Sequence, residues 1–211
     1  MTDRRKAPTK TESALLEPFV ALPLERIVVP ATMEQFSAAA EDLLRHRFVG
    51  FDTESKPTFN KGETSTGPHV IQLTTLETAY IFQLHRSEGH EVLVHLLESV
   101  AMVKVGFDLK SDQGHLTRKL GIQTRAILDL NRLFQQEGYT SIGVRAAVAL
   151  VLNQKFRKSK HVSTSNWGLR ELSPSQLLYA ANDAYAALKV LEALHRPESE
   201  LPISNLEDDL A

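Results

Sequence analysis

Asp52 and Glu54 are the first residues whose types and spacing suggest chemistry. They follow Phe48-Val49-Gly50-Phe51, an apolar run that reads as a buried strand. In a strand, residues two apart point to the same face, so both carboxylates project together from the strand end. Like charges that close repel and lose solvation, and a hard divalent cation such as Mg²⁺ or Mn²⁺ relieves both costs. A solvated turn is the alternative reading of the same pair. A second acidic stretch is Gly106-Phe107-Asp108-Leu109-Lys110-Ser111-Asp112, where a strand runs into a helix. Asp108 has the position of a helix cap. Asp112, about one turn inside, either complements the helix dipole or joins a site. The third set is Tyr179 and Asp183, spaced i and i+4 and therefore on one helix face. Leu178, Ala180, Ala186 and Ala187 surround them, and an aspartate there is poorly solvated unless something positive meets it. The alternatives are a solvent-facing Asp183 and a half-buried core Tyr179.

The elements that must position these groups follow from periodicity and caps. Residues 1–24 read as a flexible tail carrying Arg4-Arg5-Lys6. Arg26–Val29 is a short strand, and Thr32 with Gln35 forms a capping box for a helix to about His46. Strand 48–53 follows, then a polar loop over 55–67 that contains Lys56, Asn60 and Lys61. Strands at 70–74 and 78–82 complete an antiparallel meander. A helix over 91–100, a strand over 102–106 and a helix over 108–120 closed by Gly121 come next. Ala126–Leu130 is a strand or a strand-to-helix junction, and 141–152 is a helix. A basic polar segment, 153–166, leads to a last helix with Ser173 and Gln176 as a capping box and Pro174 in its first turn. It ends near His195 and Pro197, before an acidic tail over 197–211. Strands first and helices later predict one α/β domain over 25–196, a mixed sheet with helices against it.

Composition narrows the function classes. The chain has 211 residues, 42% hydrophobic and 24% charged, the balance of an ordinary globular domain. No apolar run reaches about 18 residues and the N-terminus has no signal-peptide core, so no membrane partner is expected. The absence of cysteine excludes disulfides and thiolate zinc sites and suits a reducing cytoplasm. A net charge of −2 leaves no general nucleic-acid footprint, so any polyanion must be met by local basic groups or metal ions.

In their order, Asp52-x-Glu54, Gly106 through Asp112, and Tyr179-x-x-x-Asp183 resemble the three motifs of the DEDD 3′→5′ exonucleases. The tyrosine points to the DEDDy branch, that of ribonuclease D and the proofreading domains of family A DNA polymerases. The nearest likeness is to the Werner-syndrome-type exonuclease domain. Val70-Ile71-Gln72-Leu73, Asp112-Gln113, Ser165-Asn166-Trp167, Leu172-Ser173 and the block from Gln176 to Tyr185 extend the likeness over about 26–195.

The resemblance implies a ribonuclease H-like mixed β-sheet flanked by α-helices. It implies a 3′→5′ exonuclease that hydrolyses phosphodiester bonds from the 3′ end of DNA or RNA and releases nucleoside 5′-monophosphates. Asp52, Glu54, Asp112 and Asp183 would hold two divalent cations, Mg²⁺ or Mn²⁺, with Asp52 bridging both and Tyr179 orienting the attacking water. The substrate would be a single strand or a 3′ overhang. Thr53 and Ser55 stand around the first motif where an aromatic often follows the glutamate, which leaves the stacking partner of the terminal base unassigned. Candidates for substrate contact are Thr53, Phe59, Phe107, Leu109 and Trp167; core packing is the alternative for Phe107 and Trp167. Lys155, Arg157, Lys158, Lys160 and His161 would track phosphates, with an exposed loop as the alternative. A catalytically silent nucleic-acid-binding module on the same fold is the alternative function, and the presence of all four carboxylates and the tyrosine argues against it. No residue announces DNA over RNA, or an oligomeric state.

Overall fold

The computed structural model describes residues 6–58, 62 and 65–206. Arg4, Arg5, Phe59, Asn60 and Lys61 lie outside the described residues. The elements are α1 (Lys10–Ala14), β1 (Glu17–Pro18), β2 (Ile27–Val28), α2 (Met33–Leu43), β3 (Phe48–Glu54), β4 (Val70–Thr74), β5 (Ala79–Gln83) and α3 (His90–Glu98). They continue as β6 (Val103–Gly106), α4 (Lys110–Leu120), β7 (Ile127–Asp129), α5 (Leu130–Gln136), α6 (Val144–Leu152), β8 (Gln154–Lys155), α7 (Lys160–Ser163) and α8 (Pro174–Leu194).

Six strands form one mixed sheet in the order β2-β5-β4-β3-β6-β7. The β3–β4–β5 meander is antiparallel, and β2, β6 and β7 join in parallel. Strand alternation divides β3 between two cores. Val49 and Phe51 point to one face, packed with Phe36, Leu43, Leu93 and Leu116 from α2, α3 and α4. Gly50, Asp52 and Glu54 therefore point to the other face, where α8 lies.

The contact between β3 and α8 depends on small residues. A Cβ at Gly50 would sit 2.1 Å from the Ala184 carbonyl oxygen and 2.4 Å from Thr74 Oγ1, so only glycine admits the helix there. Across from it, α8 offers Ala180, Ala181, Ala184 and Ala187, all buried. This close seating brings Asp183 down beside Asp52. The helix begins with the capping box at Ser173 and with Pro174 in its first turn, and it ends at His195 in the left-handed conformation (φ 48°). The α2 capping box at Thr32 also forms. Among the described residues, no helix is long and apolar enough to cross a membrane.

The structure differs from the sequence expectation at both ends. Within the expected loose N-terminal tail, α1 forms and β1 pairs in parallel with β8. Phe19 meets Phe156 edge-on at 5.2 Å and Tyr185 at 5.9 Å. Leu22 N–H donates to Asn182 Oδ1 at 2.7 Å, and Asn182 Nδ2 donates back to the Leu22 carbonyl at 3.1 Å. These partners lie far away in sequence, so no local periodicity reveals them. At the other end, Ser204 bridges Ile127 on the edge strand, and Leu201 and Ile203 pack on the core. The basic segment contains β8 and α7 where sequence suggested only a loop, and α5 occupies the expected junction after β7.

Candidate active site

Three carboxylates converge where β3 ends against α8. One oxygen each from Asp52, Glu54 and Asp183 lies within 4.8 Å of the others. Asp183 is only 4% exposed, and Lys158 and Tyr179 are the side chains that reach its carboxylate. Lys158 Nζ lies 2.5 Å from Asp183 Oδ2 and forms an ion pair with it. The same ammonium stands 5.4 Å from the Tyr179 ring centroid. Asp112, in the first turn of α4, stays outside the three-carboxylate cluster. It is tied to the cluster through the chain, because the Thr53 hydroxyl donates to Asp112 Oδ1. Thr53, expected to touch substrate, thus has a carboxylate partner inside the protein.

Burial and crowding shift every acid of the group in one direction. Burial, then Asp183 and Asp112, push Asp52 up to about 8. Burial, then Asp52 and Asp183, push Glu54 up to about 9. Burial also raises Asp112 and raises Asp183 in spite of the neighbouring Lys158. Burial works against the Lys158 charge, but Asp183 and Asp52 outweigh it and hold the ammonium above the ordinary lysine range. The Tyr179 phenol is raised by burial and by Asp183. A hard dication would remove the repulsion that these shifts report.

The β6–α4 turn carries a correction. Asp108 does not cap α4; Leu109 holds the cap position without a side-chain hydrogen bond. Asp108 is left-handed (φ 56°), and its Oδ1 accepts from Asn131 Nδ2 at 2.5 Å. The residue that holds the turn is Asp129. Its Oδ1 accepts the Asp108 and Asn131 N–H groups, each at 3.0 Å, and its Oδ2 accepts the Leu109 N–H at 3.2 Å. Asp129 ends a short strand before a helix, the one local signal that could have marked it as a cap.

Two expected substrate contacts are instead core residues. Leu109 is fully buried with Phe51 and Leu116. Trp167 is 1% exposed, donates Nε1 to the Ser163 carbonyl at 3.1 Å and packs on Tyr179 with centroids 5.9 Å apart. Gln176 pins that turn to α8 by donating to Ser165 Oγ at 3.0 Å and to the Asn166 carbonyl at 3.1 Å. Phe107, half-buried, lines a cleft of about 430 Å³ together with Asp52, Asp183, Lys158 and Arg145. Lys160 is exposed on α7 and is not among the residues lining this cleft. Arg145 had no motif to mark it; it reaches the cleft from the start of α6.

A family profile described as 3′-5′ exonuclease matches residues 27–197, a span that contains every element of this site. The chain belongs to the 3′-5′ exonuclease family. A 3′-5′ exonuclease from Arabidopsis thaliana is 30% identical over 151 residues, covering 70% of this chain and 52% of that protein. The exonuclease-helicase WRN of Mus musculus is 30% identical over 171 residues, 74% of this chain but 12% of that one. This chain thus spans about half or less of the length of these relatives. Among solved structures, Trypanosoma brucei RNase D superposes with a TM-score of 0.73 at 20% identity, covering 82% of this chain and 65% of that one. The EXO domain of Aedes aegypti Nibbler gives 0.68 at 23% identity, covering 82% and 88%. These likenesses place the fold as the ribonuclease H-like exonuclease sheet. The family is the 3′-5′ exonuclease family whose motifs the chain resembles in their order.

Proposed function

We propose that this chain is a metal-dependent 3′→5′ exonuclease acting on a single strand or a 3′ overhang and releasing nucleoside 5′-monophosphates. The observation that carries this reading is the convergence of Asp52, Glu54 and Asp183 within 4.8 Å, with Tyr179 one helical turn from Asp183. The donor set fits Mg²⁺ or Mn²⁺: it is all carboxylate oxygen, crowded and largely buried, and Lys158 alone supplies a positive charge within ion-pair distance of Asp183 among the described residues. Asp52, Glu54 and Asp183 would hold one cation, and Asp112, carried on α4 and tied to Thr53, would help hold a second. Two such ions supply charge that activates water and stabilises the leaving 3′-oxygen. Tyr179 orients the attacking water. Its raised pKa makes the phenol a hydrogen-bonding group at neutral pH, not a base. Lys158 and Arg145, both on the cleft wall, meet the phosphodiester. Trypanosoma brucei RNase D has been solved with RNA U12 in the same fold, with a TM-score of 0.71, which supports a nucleic-acid substrate here.

A 5′-labelled strand incubated with Mn²⁺ should shorten one nucleotide at a time from its 3′ end. A closed circular single strand should survive. Cleavage of the circle would make the enzyme an endonuclease and overturn the reading.

Tyr179→Phe should lower kcat by on the order of 10- to 1,000-fold with little change in KM, as when one positioned polar group is lost from the transition state. Mn²⁺ affinity should stay within about twofold, because phenylalanine removes no ligand. Steady-state kinetics and Mn²⁺ titration check both, and an unchanged kcat would reduce Tyr179 to a packing residue.

A further inference from the structure

The basic groove beside the cleft is built partly by a segment outside the family match. Residues 8–14 precede the matched span of 27–197. They lie against β8, where Lys155 Nζ donates to the Ala14 carbonyl at 2.6 Å. Between this segment and the start of α6 runs a groove of about 780 Å³ lined by Lys10, Arg145, Lys155, Arg157 and Lys158. No carboxylate is among its lining residues, although the chain as a whole carries a net charge of −2. Arg145, Ala146 and Lys158 also line the catalytic cleft, so the two spaces adjoin and share these residues. Ala14, Ala146 and Phe156 add apolar wall on which a sugar or base can rest.

We propose that this groove binds the sugar-phosphate backbone on the 5′ side of the scissile bond, making the enzyme one for strands of several nucleotides. The inference rests on the exonuclease reading. With the 3′ end at the carboxylates, the rest of the strand must leave the cleft, and the groove beyond Arg145 and Lys158 has no carboxylate among its lining residues. Lys10, Arg145, Lys155 and Arg157, beside a Lys158 already paired with Asp183, attract any phosphodiester chain, so the groove does not by itself choose DNA or RNA.

The test measures binding of labelled dinucleotide and 12-mer strands, DNA and RNA, by fluorescence anisotropy, with a poly-glutamate peptide as a further ligand. Lys10→Ala and Arg157→Ala change exposed side chains. Each should weaken 12-mer binding by about 3- to 10-fold and cut the slope of log K against log salt by about 0.7, one phosphate contact on a single strand. Dinucleotide affinity of the Lys10→Ala protein should match wild type, and thermal melts should confirm an intact fold. A wild-type protein that neither shortens the 5′-labelled strand nor binds it would overturn the exonuclease reading itself. An active wild type whose variants bind the 12-mer as tightly as it does would overturn the groove alone. Tighter binding of poly-glutamate than of either 12-mer, lost in the same variants, would assign the groove to an acidic protein partner and overturn it as well.

Discussion

Asp52→Asn should reduce kcat/KM by on the order of 10³-fold or more, because it removes the charge at the centre of a group of residues that act as a unit. Asp52 stands opposite Gln72 in the β3–β4 register and within reach of both Glu54 and Asp183. Asparagine keeps its shape but withdraws the anion that the cations and the phosphate chemistry require. The same substitution should not harm the fold. In chelator at pH 9 the variant should melt at or above the wild-type temperature, since one of the repelling charges is gone. Parallel kinetics and thermal melts separate the roles. A fall of several degrees with activity retained would make Asp52 a structural residue and remove the site from β3.

In chelator, the wild-type melting temperature should fall as pH rises from about 5 to about 9, and activity should be absent. Asp52 is raised to about 8 and Glu54 to about 9 in the folded protein, while unfolded carboxylates titrate near 4. The folded state therefore holds more protons than the unfolded state across this window. The stabilisation these two acids give is complete below about pH 4 and is lost as pH rises through about 8 and 9. At about 1.4 kcal/mol for each tenfold change in proton affinity and about 2–4 °C per kcal/mol for a chain of this size, a fall of more than about 10 °C is expected. Mn²⁺ or Mg²⁺ should reverse the trend, raising the melting temperature most at high pH, because a cation binds the ionised carboxylates. Calorimetric scans across pH with chelator or Mn²⁺ provide the measurement. A flat pH profile that is indifferent to Mn²⁺, or full activity in chelator, would exclude a metal centre at these residues.

What the sequence determined by itself is local and periodic. The period of two in β3 puts Asp52 and Glu54 on one face. The period of 3.6 in α8 pairs Tyr179 with Asp183. The capping boxes at Thr32 and Ser173 mark helix starts that the structure repeats. The order of the motifs was enough to point to the family, and the meander β3–β4–β5 was legible because short strands alternate and turns punctuate them.

What only the tertiary structure decided involves partners far apart in the chain. Asp183 reaches Asp52 because Gly50 and the alanines of α8 let a helix lie almost on the strand, a packing requirement that appears in neither segment alone. Lys158, one of four lysine and arginine residues in its stretch of sequence, is singled out by its 2.5 Å approach to Asp183. Leu109 and Trp167 read as possible contacts but fill the core, since sequence type does not distinguish an apolar wall from an apolar contact. Asp129 and Asn131 hold the Asp108 turn from the next strand and helix. The segment before residue 24 read as loose because Phe19 and Leu22 show no period. Their burial comes from Phe156, Tyr185 and Asn182, and distant side chains of that kind become neighbours only after the sheet and α8 have formed.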